Sequence, residues 1–171
     1  MHNIILIGFM GCGKSTVGVK LSYHLRLPFL DTDKLCEQKM GKTIRETFEQ
    51  DGESFFRETE TEVLRSLSDG KNANIIATGG GLPLRDINRN ILKDVGTVFY
   101  LRATPETIFD RIGQDTKRPL LLCEDPKKRI ESLLKERDPI YMEAADHVID
   151  VDGKDFRRII REIASLCKEQ K

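Results

Sequence analysis

The stretch GFMGCGKST, Gly8 to Thr16, follows directly on the apolar run Ile4 to Ile7 and constrains the fold more than any other segment. Gly8, Gly13, Lys14 and Ser15 satisfy the spacing G-x-x-x-x-G-K-[S/T], with a strand expected before it and a helix after. Glycines let successive backbone N–H groups turn inward into an anion nest, and the helix that follows presents its positive N-terminus to the same point. The amides of Gly11, Cys12, Gly13, Lys14, Ser15 and Thr16 are therefore expected to cradle the β and γ phosphates of a nucleotide. Lys14 would meet the transferred charge, and Ser15 would lend its hydroxyl to Mg²⁺. Such a loop specifies a nucleotide and leaves the reaction open, so the choice falls to residues that would hold an acceptor.

The 171 residues suit one domain, expected to run over 1–171, and can bury about two thirds of the unfolded surface. Apolar runs fit for buried parallel strands recur at Ile4 to Ile7, Pro28 to Leu30, Asn74 to Ala77, Val98 to Leu101 and His147 to Val151, separated by helical segments. The fold class read from this alternation is α/β, a parallel sheet with helices on both faces. Val17, Leu21 and Leu25 form one buried stripe, and Phe156, Ile159, Ile160, Ile163, Ala164 and Cys167 another on the closing helix. Thr104 and Asp125 precede N1 prolines, and Thr43 with Glu46 spells a capping box. Two segments exceed what a sheet needs: a helical stretch of about 33–67 and the basic stretch 113–123, taken as a substrate-binding flap and a lid.

Lysine plus arginine equals aspartate plus glutamate at 28 each, so no global field favours nucleic acid or an anionic membrane. Cys12, Cys36, Cys123 and Cys167 show neither C-x-x-C nor zinc spacing, which suits a reducing cytoplasm. The first apolar run is too short for a signal peptide and lacks a basic leader, and no segment approaches a membrane span. A cytoplasmic monomer acting on small molecules is expected.

FLDTD closes the second strand run and places Asp31 and Asp33 at its carboxyl edge, with side chains expected on the same side. One could support Mg²⁺ through water and the other accept a hydrogen bond from an acceptor hydroxyl, although such a pair alone is also an ordinary N-cap with a solvated neighbour. Arg57, in GESFFRETE, either projects from the flap toward an anionic acceptor or forms a surface ion pair with its glutamates. Gly79, Gly80 and Gly81, in IIATGGG, offer backbone N–H groups to a ligand, or simply a tight turn. Arg118 in KRPLL fits an arginine finger supplied by the lid, or a solvated loop cation. Arg137, in ERDPIYMEAA, is a second candidate for a carboxylate, and Arg111 either stacks on adenine or lies on a helix surface.

Together GFMGCGKST, FLDTD, GESFFRETE, IIATGGG, KRPLL and ERDPIYMEAA resemble the shikimate kinase family in order and approximate spacing, over nearly the whole chain. The resemblance implies a P-loop NTPase fold like that of nucleoside monophosphate kinases, with a five-stranded parallel sheet. It implies transfer of the ATP γ phosphate to the 3-hydroxyl of shikimate, a step toward chorismate and the aromatic amino acids. By residue, Ser15 resembles the magnesium ligand and Asp31 its water-mediated supporter. Lys14, Asp33 and Arg118 resemble the catalytic set, with Asp33 on the acceptor hydroxyls. Arg57, Arg137 and Gly79 to Gly81 resemble the shikimate-binding set, and Arg111 and Arg118 the ATP contacts. Cys12 departs from the small residue of many relatives, and its side chain is expected to point off the phosphates, with sensitivity to oxidation as its only consequence. DVDGKD departs near the nucleotide base, where some relatives carry proline. A gluconate or nucleoside monophosphate kinase of the same fold is the nearest rival, and two arginines aimed at a carboxylate disfavour it. A non-catalytic nucleotide switch would want the guanine-reading N-K-x-D pattern, which is missing.

Overall fold

The computed structural model describes residues 2–68, 72–113 and 123–169. Five strands, β1 (Asn3–Ile7), β2 (Phe29–Asp31), β3 (Ile75–Ala77), β4 (Gly96–Arg102) and β5 (His147–Asp150), form one sheet in the order β2-β3-β1-β4-β5. Every neighbouring pair is parallel. β1 lies at the centre because it is apolar on both faces: Ile4, Ile5, Leu6 and Ile7 are each at most 2% exposed, as a strand covered on two sides requires. Its register sets Leu6 against Ala77 on one side and Phe99 on the other, so its carboxyl end opens between the ends of β3 and β4.

The helices are α1 (Lys14–Leu25), α2 (Thr32–Met40), α3 (Ile44–Gln50), α4 (Gly52–Ser66), α5 (Asp86–Val95), α6 (Pro105–Ile112), α7 (Pro126–Ala144) and α8 (Phe156–Glu169). α1 packs on α8, while α4, α5 and α7 form a second group with α5 and α7 resting on β4. Val17 and Leu21 are buried and Leu25 packs at the edge of the core. On α8, Ile159, Ile160, Ile163 and Ala164 are buried as their spacing predicts. Phe156 departs from that stripe. It is 38% exposed, because it stands in the first turn of α8 and faces the mouth of the phosphate loop instead of the sheet.

The expected flap is three helices. Thr43 caps α3 with a capping box completed by Glu46, and Thr104 and Asp125 accept backbone N–H bonds at the starts of α6 and α7. α2 and α3 pack on α4, where Cys36, Phe56 and Val63 make a small core separate from the main one. The flap therefore holds its own shape while its α4 side meets the carboxyl edge of the sheet. The expected lid over 113–123, including Arg118, lies outside the described residues except at its two ends.

Candidate functional site

The phosphate loop runs from β1 into α1. Gly8 has φ +140°, and a Cβ there would stand 2.7 Å from the Leu101 carbonyl of β4, so only glycine lets the loop leave the sheet at this point. Gly13 takes the N-cap position of α1 at φ +104°, with no side chain capping the helix. The first amides of α1 thus point into the crevice with their dipole unblocked. Lys14 is buried, 9% exposed, and its Nζ donates to the carbonyls of Gly8 at 2.8 Å and Phe9 at 3.0 Å. Cys12 is 1% exposed and its sulfur lies inward, so the expectation that it points off the phosphates holds. Its sulfur lies 3.9 Å from Lys14 Nζ, and its burial keeps it from contact with solvent oxidants.

Ser15 Oγ donates to Asp31 Oδ2 at 3.3 Å, while Asp31 Oδ1 accepts the backbone N–H groups of Asp33 and Lys34. Asp31 is therefore the N-cap of α2 and the partner of the loop serine at once. Asp33 differs from the expectation in its setting: β2 stops at Asp31, and Asp33 belongs to the first turn of α2. It still reaches the same crevice, because a helix starting at the strand end keeps its first turn over the sheet edge. Burial raises the Asp33 pKa above the usual carboxylate range, the nearby Asp31 charge adds to this, and Lys14 opposes it.

The glycine turn after β3 is where the flap meets the sheet. A Cβ at Gly79 would run into Asp33 Oδ1 and lie 3.1 Å from Glu60 Oε1, and one at Gly81 would stand 2.5 Å from Arg57 Nη1. The missing side chains are thus occupied by the functional groups of other elements. Gly79 N–H donates to Thr32 Oγ1, and the Gly80 carbonyl accepts from the Tyr141 hydroxyl at 2.7 Å. Arg57 is held from its own helix, Nη1 to Glu60 Oε2 at 2.6 Å and Nε and Nη2 to Glu53 Oε1. It is an ion pair, as the bland alternative had it, but a half-buried one laid against the turn. Arg137 comes in from α7, its guanidinium 5.7 Å over the Phe9 ring and its Nε buried without a partner. Arg111 Nη1 donates to the Gly11 and Cys12 carbonyls, which places its guanidinium on the rim of the loop.

A crevice of about 410 Å³ is lined by Gly11, Gly13 to Thr16, Asp31, Asp33, Gly79, Gly80, Arg111 and Phe156, while Cys12, Arg57, Gly81 and Arg137 are not among its lining residues. A second hollow of about 430 Å³, bounded by Arg102, Thr104 and Asp138, contains none of the loop residues. Chemistry therefore belongs to the first. Its walls divide by charge, with loop amides, Lys14 and Arg111 on one side and Asp33, Gly79 and Gly80 on the other.

Sequence reasoning missed Glu60. It is 1% exposed, its Oε1 has no partner, and burial pushes its carboxyl up to about 7 against the lowering pull of Arg57. Its position three residues after Arg57 on a helix was the available signal. A carboxyl whose folded pKa lies above its ordinary 4.5 leaves the folded chain holding an extra proton between pH 4.5 and about 7, so this contribution to stability falls as pH rises through that window. Glu60→Gln is expected to remove the slope. Urea unfolding at pH 5 and pH 7.5 should show wild type losing on the order of a few kcal/mol relative to the variant, and parallel curves would reject the assignment.

The shikimate kinase family model matches residues 10–168. This chain belongs to the shikimate kinase family. It is 45% identical to the shikimate kinase of Paracidovorax citrulli, covering 95% of this chain and 90% of that protein. It is also 45% identical to that of Caldanaerobacter subterraneus, covering 95% and 94%. Among solved structures, a shikimate kinase from Acinetobacter baumannii in complex with shikimate superposes with a TM-score of 0.91 at 41% identity, covering 100% of this chain and 95% of that one. The shikimate kinase of Aquifex aeolicus gives 0.84 at 36%, covering 98% and 97%. A gluconokinase from Sinorhizobium meliloti, at 16% identity and a TM-score of 0.56, shares the fold alone. The five-stranded parallel sheet and its flanking helices are those of a shikimate kinase, a P-loop kinase fold.

Proposed function

We propose that this chain, a single kinase domain, transfers the γ phosphoryl group of ATP to the 3-hydroxyl of shikimate, with its phosphate loop, Asp33 and four arginines in the roles set out below. The observation that carries this reading is that Asp33, Gly79 and Gly80 line the crevice that begins at the phosphate loop, while Arg57 lies against Gly81, the next residue of the same turn. An acceptor bound there would have hydroxyls beside a carboxylate and its own carboxylate beside guanidinium groups. Arg57 and Arg137 supply planar, always-charged forks suited to that carboxylate.

In the transfer, the acceptor oxygen forms a bond to the γ phosphorus while the bond from that phosphorus to the bridging oxygen of ADP breaks. Negative charge grows on the bridging and equatorial oxygens, where the loop amides and Lys14 lie. Asp33 accepts the hydroxyl hydrogen bond, and its raised pKa makes it a better proton acceptor as the P–O bond forms. A loose transition state demands alignment before proton removal, so orienting the hydroxyl is the earlier task. Arg118 is assigned the γ phosphate on closure of the lid, and Arg111 the nucleotide at the crevice rim. Phe156, on the same rim, adds a flat apolar face.

Ser15 Oγ and Asp31 Oδ2 form a small all-oxygen donor set beside the loop, which fits Mg²⁺, an ion that takes one or two protein ligands and keeps most of its waters. Bound there with ATP, it would neutralise phosphate charge. No described helix is long and apolar enough to cross a membrane. The reading extends to a cytoplasmic monomer, the compartment being supported by four cysteines outside disulfides.

A coupled assay of ADP release, with shikimate, gluconate and nucleoside monophosphates offered in parallel, tests the reading. Turnover with shikimate alone is expected, and equal or greater turnover with another acceptor would overturn it. Arg57→Ala is expected to raise the KM for shikimate by the equivalent of about 1.5–3 kcal/mol, the worth of a charge-assisted hydrogen bond. The KM for ATP should not move. An unchanged shikimate KM would remove Arg57 from the acceptor site.

A further inference from the structure

The geometry points to Asp138, gripped by Arg102 and Tyr100, as the positioning residue that aims Arg137 at the acceptor carboxylate; this rests on the proposed role of Arg137. α7 carries Pro139 in its interior. Proline has no N–H, so the helix loses the bond that would reach back to the Lys135 carbonyl, and it is loosest just where Arg137 projects. A helix with a lost rung does not by itself fix a side chain two residues away.

Asp138 supplies the tie. Its Oδ1 accepts from the Tyr100 hydroxyl at 2.7 Å and from Arg102 Nε at 2.9 Å, and its Oδ2 accepts from Arg102 Nη2 at 2.9 Å. Both donors stand on β4, two residues apart and so on one side of the sheet. β4 pairs with β1, the strand that delivers the phosphate loop. One turn further along α7, the Tyr141 ring lies 5.1 Å from the Tyr100 ring and its hydroxyl donates to the Gly80 carbonyl. Arg137 is therefore bracketed: Asp138 fastens its turn to β4, and Tyr141 fastens the next turn to the glycine turn. Its guanidinium lies over Phe9 of the phosphate loop and its side chain also bonds Tyr141, so the bracket holds it between that loop and the glycine turn.

Magnitude separates this role from plain stabilisation. Arg102 and Asp138 are 45% and 26% exposed, and an ion pair so open to water contributes little to folding. A tie that adds little stability yet uses a bidentate fork and a buried tyrosine hydroxyl chiefly fixes direction. A positioning group displaced by an ångström can cost far more in substrate handling than in stability.

The test uses the full chain and steady-state kinetics with shikimate and ATP varied separately. Asp138→Ala and Arg102→Ala are each expected to raise the shikimate KM about tenfold, with the ATP KM nearly unmoved; Tm should stay nearly unmoved in Arg102→Ala and fall in Asp138→Ala, which leaves the buried Tyr100 hydroxyl without its acceptor. Asp138→Asn, which keeps an acceptor for Tyr100, should recover most of the loss. In an Arg137→Ala background, Asp138→Ala should add nothing, because both changes remove the same interaction. A shikimate KM unchanged in both alanine variants, or full additivity with Arg137→Ala, would overturn the anchor. If Asp138→Ala fails to fold, the surface variant Arg102→Ala and the isosteric Tyr100→Phe carry the test. An Arg137→Ala enzyme with normal shikimate KM would overturn the assignment of Arg137 and the anchor with it. An impaired Arg137→Ala beside silent Asp138 and Arg102 variants would overturn the anchor alone.

Discussion

Lys14→Ala is expected to reduce kcat by about 10³-fold or more, the scale seen when a cation or a preorganised donor is removed from developing phosphoryl or oxyanion charge. The structure explains why no neighbour would substitute. Lys14 is buried within the loop, and its ammonium already sits between two loop carbonyls, within reach of a phosphate held by the amides around it. Arg111, the other cation described on the crevice wall, is committed to the loop rim. Lys14→Arg should restore little, since the larger fork does not fit a site 9% exposed. Single-turnover measurement with saturating ATP and shikimate checks the point, and retention of more than a tenth of the wild-type rate would remove Lys14 from the chemistry.

Asp33→Asn should lower kcat by about 10²- to 10⁴-fold, the range for loss of a positioned proton acceptor. Asparagine keeps the shape that fits over Gly79 and keeps one hydrogen-bond acceptor, so the fold and the grip on ATP should survive. What disappears is a carboxylate whose burial and proximity to Asp31 raise its affinity for a proton. The two possible duties of Asp33 give different results. If it only orients the hydroxyl, the loss falls below tenfold and appears in the shikimate KM. If it also takes the proton, the loss appears in kcat and the pH dependence of turnover flattens.

Much of this was legible before any coordinates, and the reasons are local. The phosphate loop announces itself because an apolar strand, glycine spacing and a lysine act within the thirteen residues Ile4 to Thr16. The inner strands β1, β3 and β4 follow from apolar runs that are largely buried, the edge strands β2 and β5 from shorter runs only partly covered, and the caps at Thr43, Thr104 and Asp125 from side chains that satisfy amides three residues away. What escaped depends on residues distant in sequence. Asp33 was expected to share a strand side with Asp31, yet the pair meets the crevice through a strand end and a helix turn, a boundary that alternation cannot locate. Phe156 reads as part of the α8 stripe by spacing alone, and only the approach of the loop to the start of α8 turns it outward. Glu60 looked like one acidic residue among several, because its burial is created by the glycine turn and α2 together. Asp138 carries no pattern at all, since its partners lie on β4, about forty residues upstream.

The placement of β1 at the middle of the sheet bears on biosynthesis. This strand leaves the ribosome before both of its lateral neighbours: it gains one only when β3 has been made and the other only with β4, whose last residue is Arg102. Until then IILIGF is an unpaired, water-averse edge with the nucleotide loop dangling from it, the kind of segment prone to mispairing in a nascent chain. The phosphate loop is thus unable to hold its ligand until both β3 and β4 have emerged.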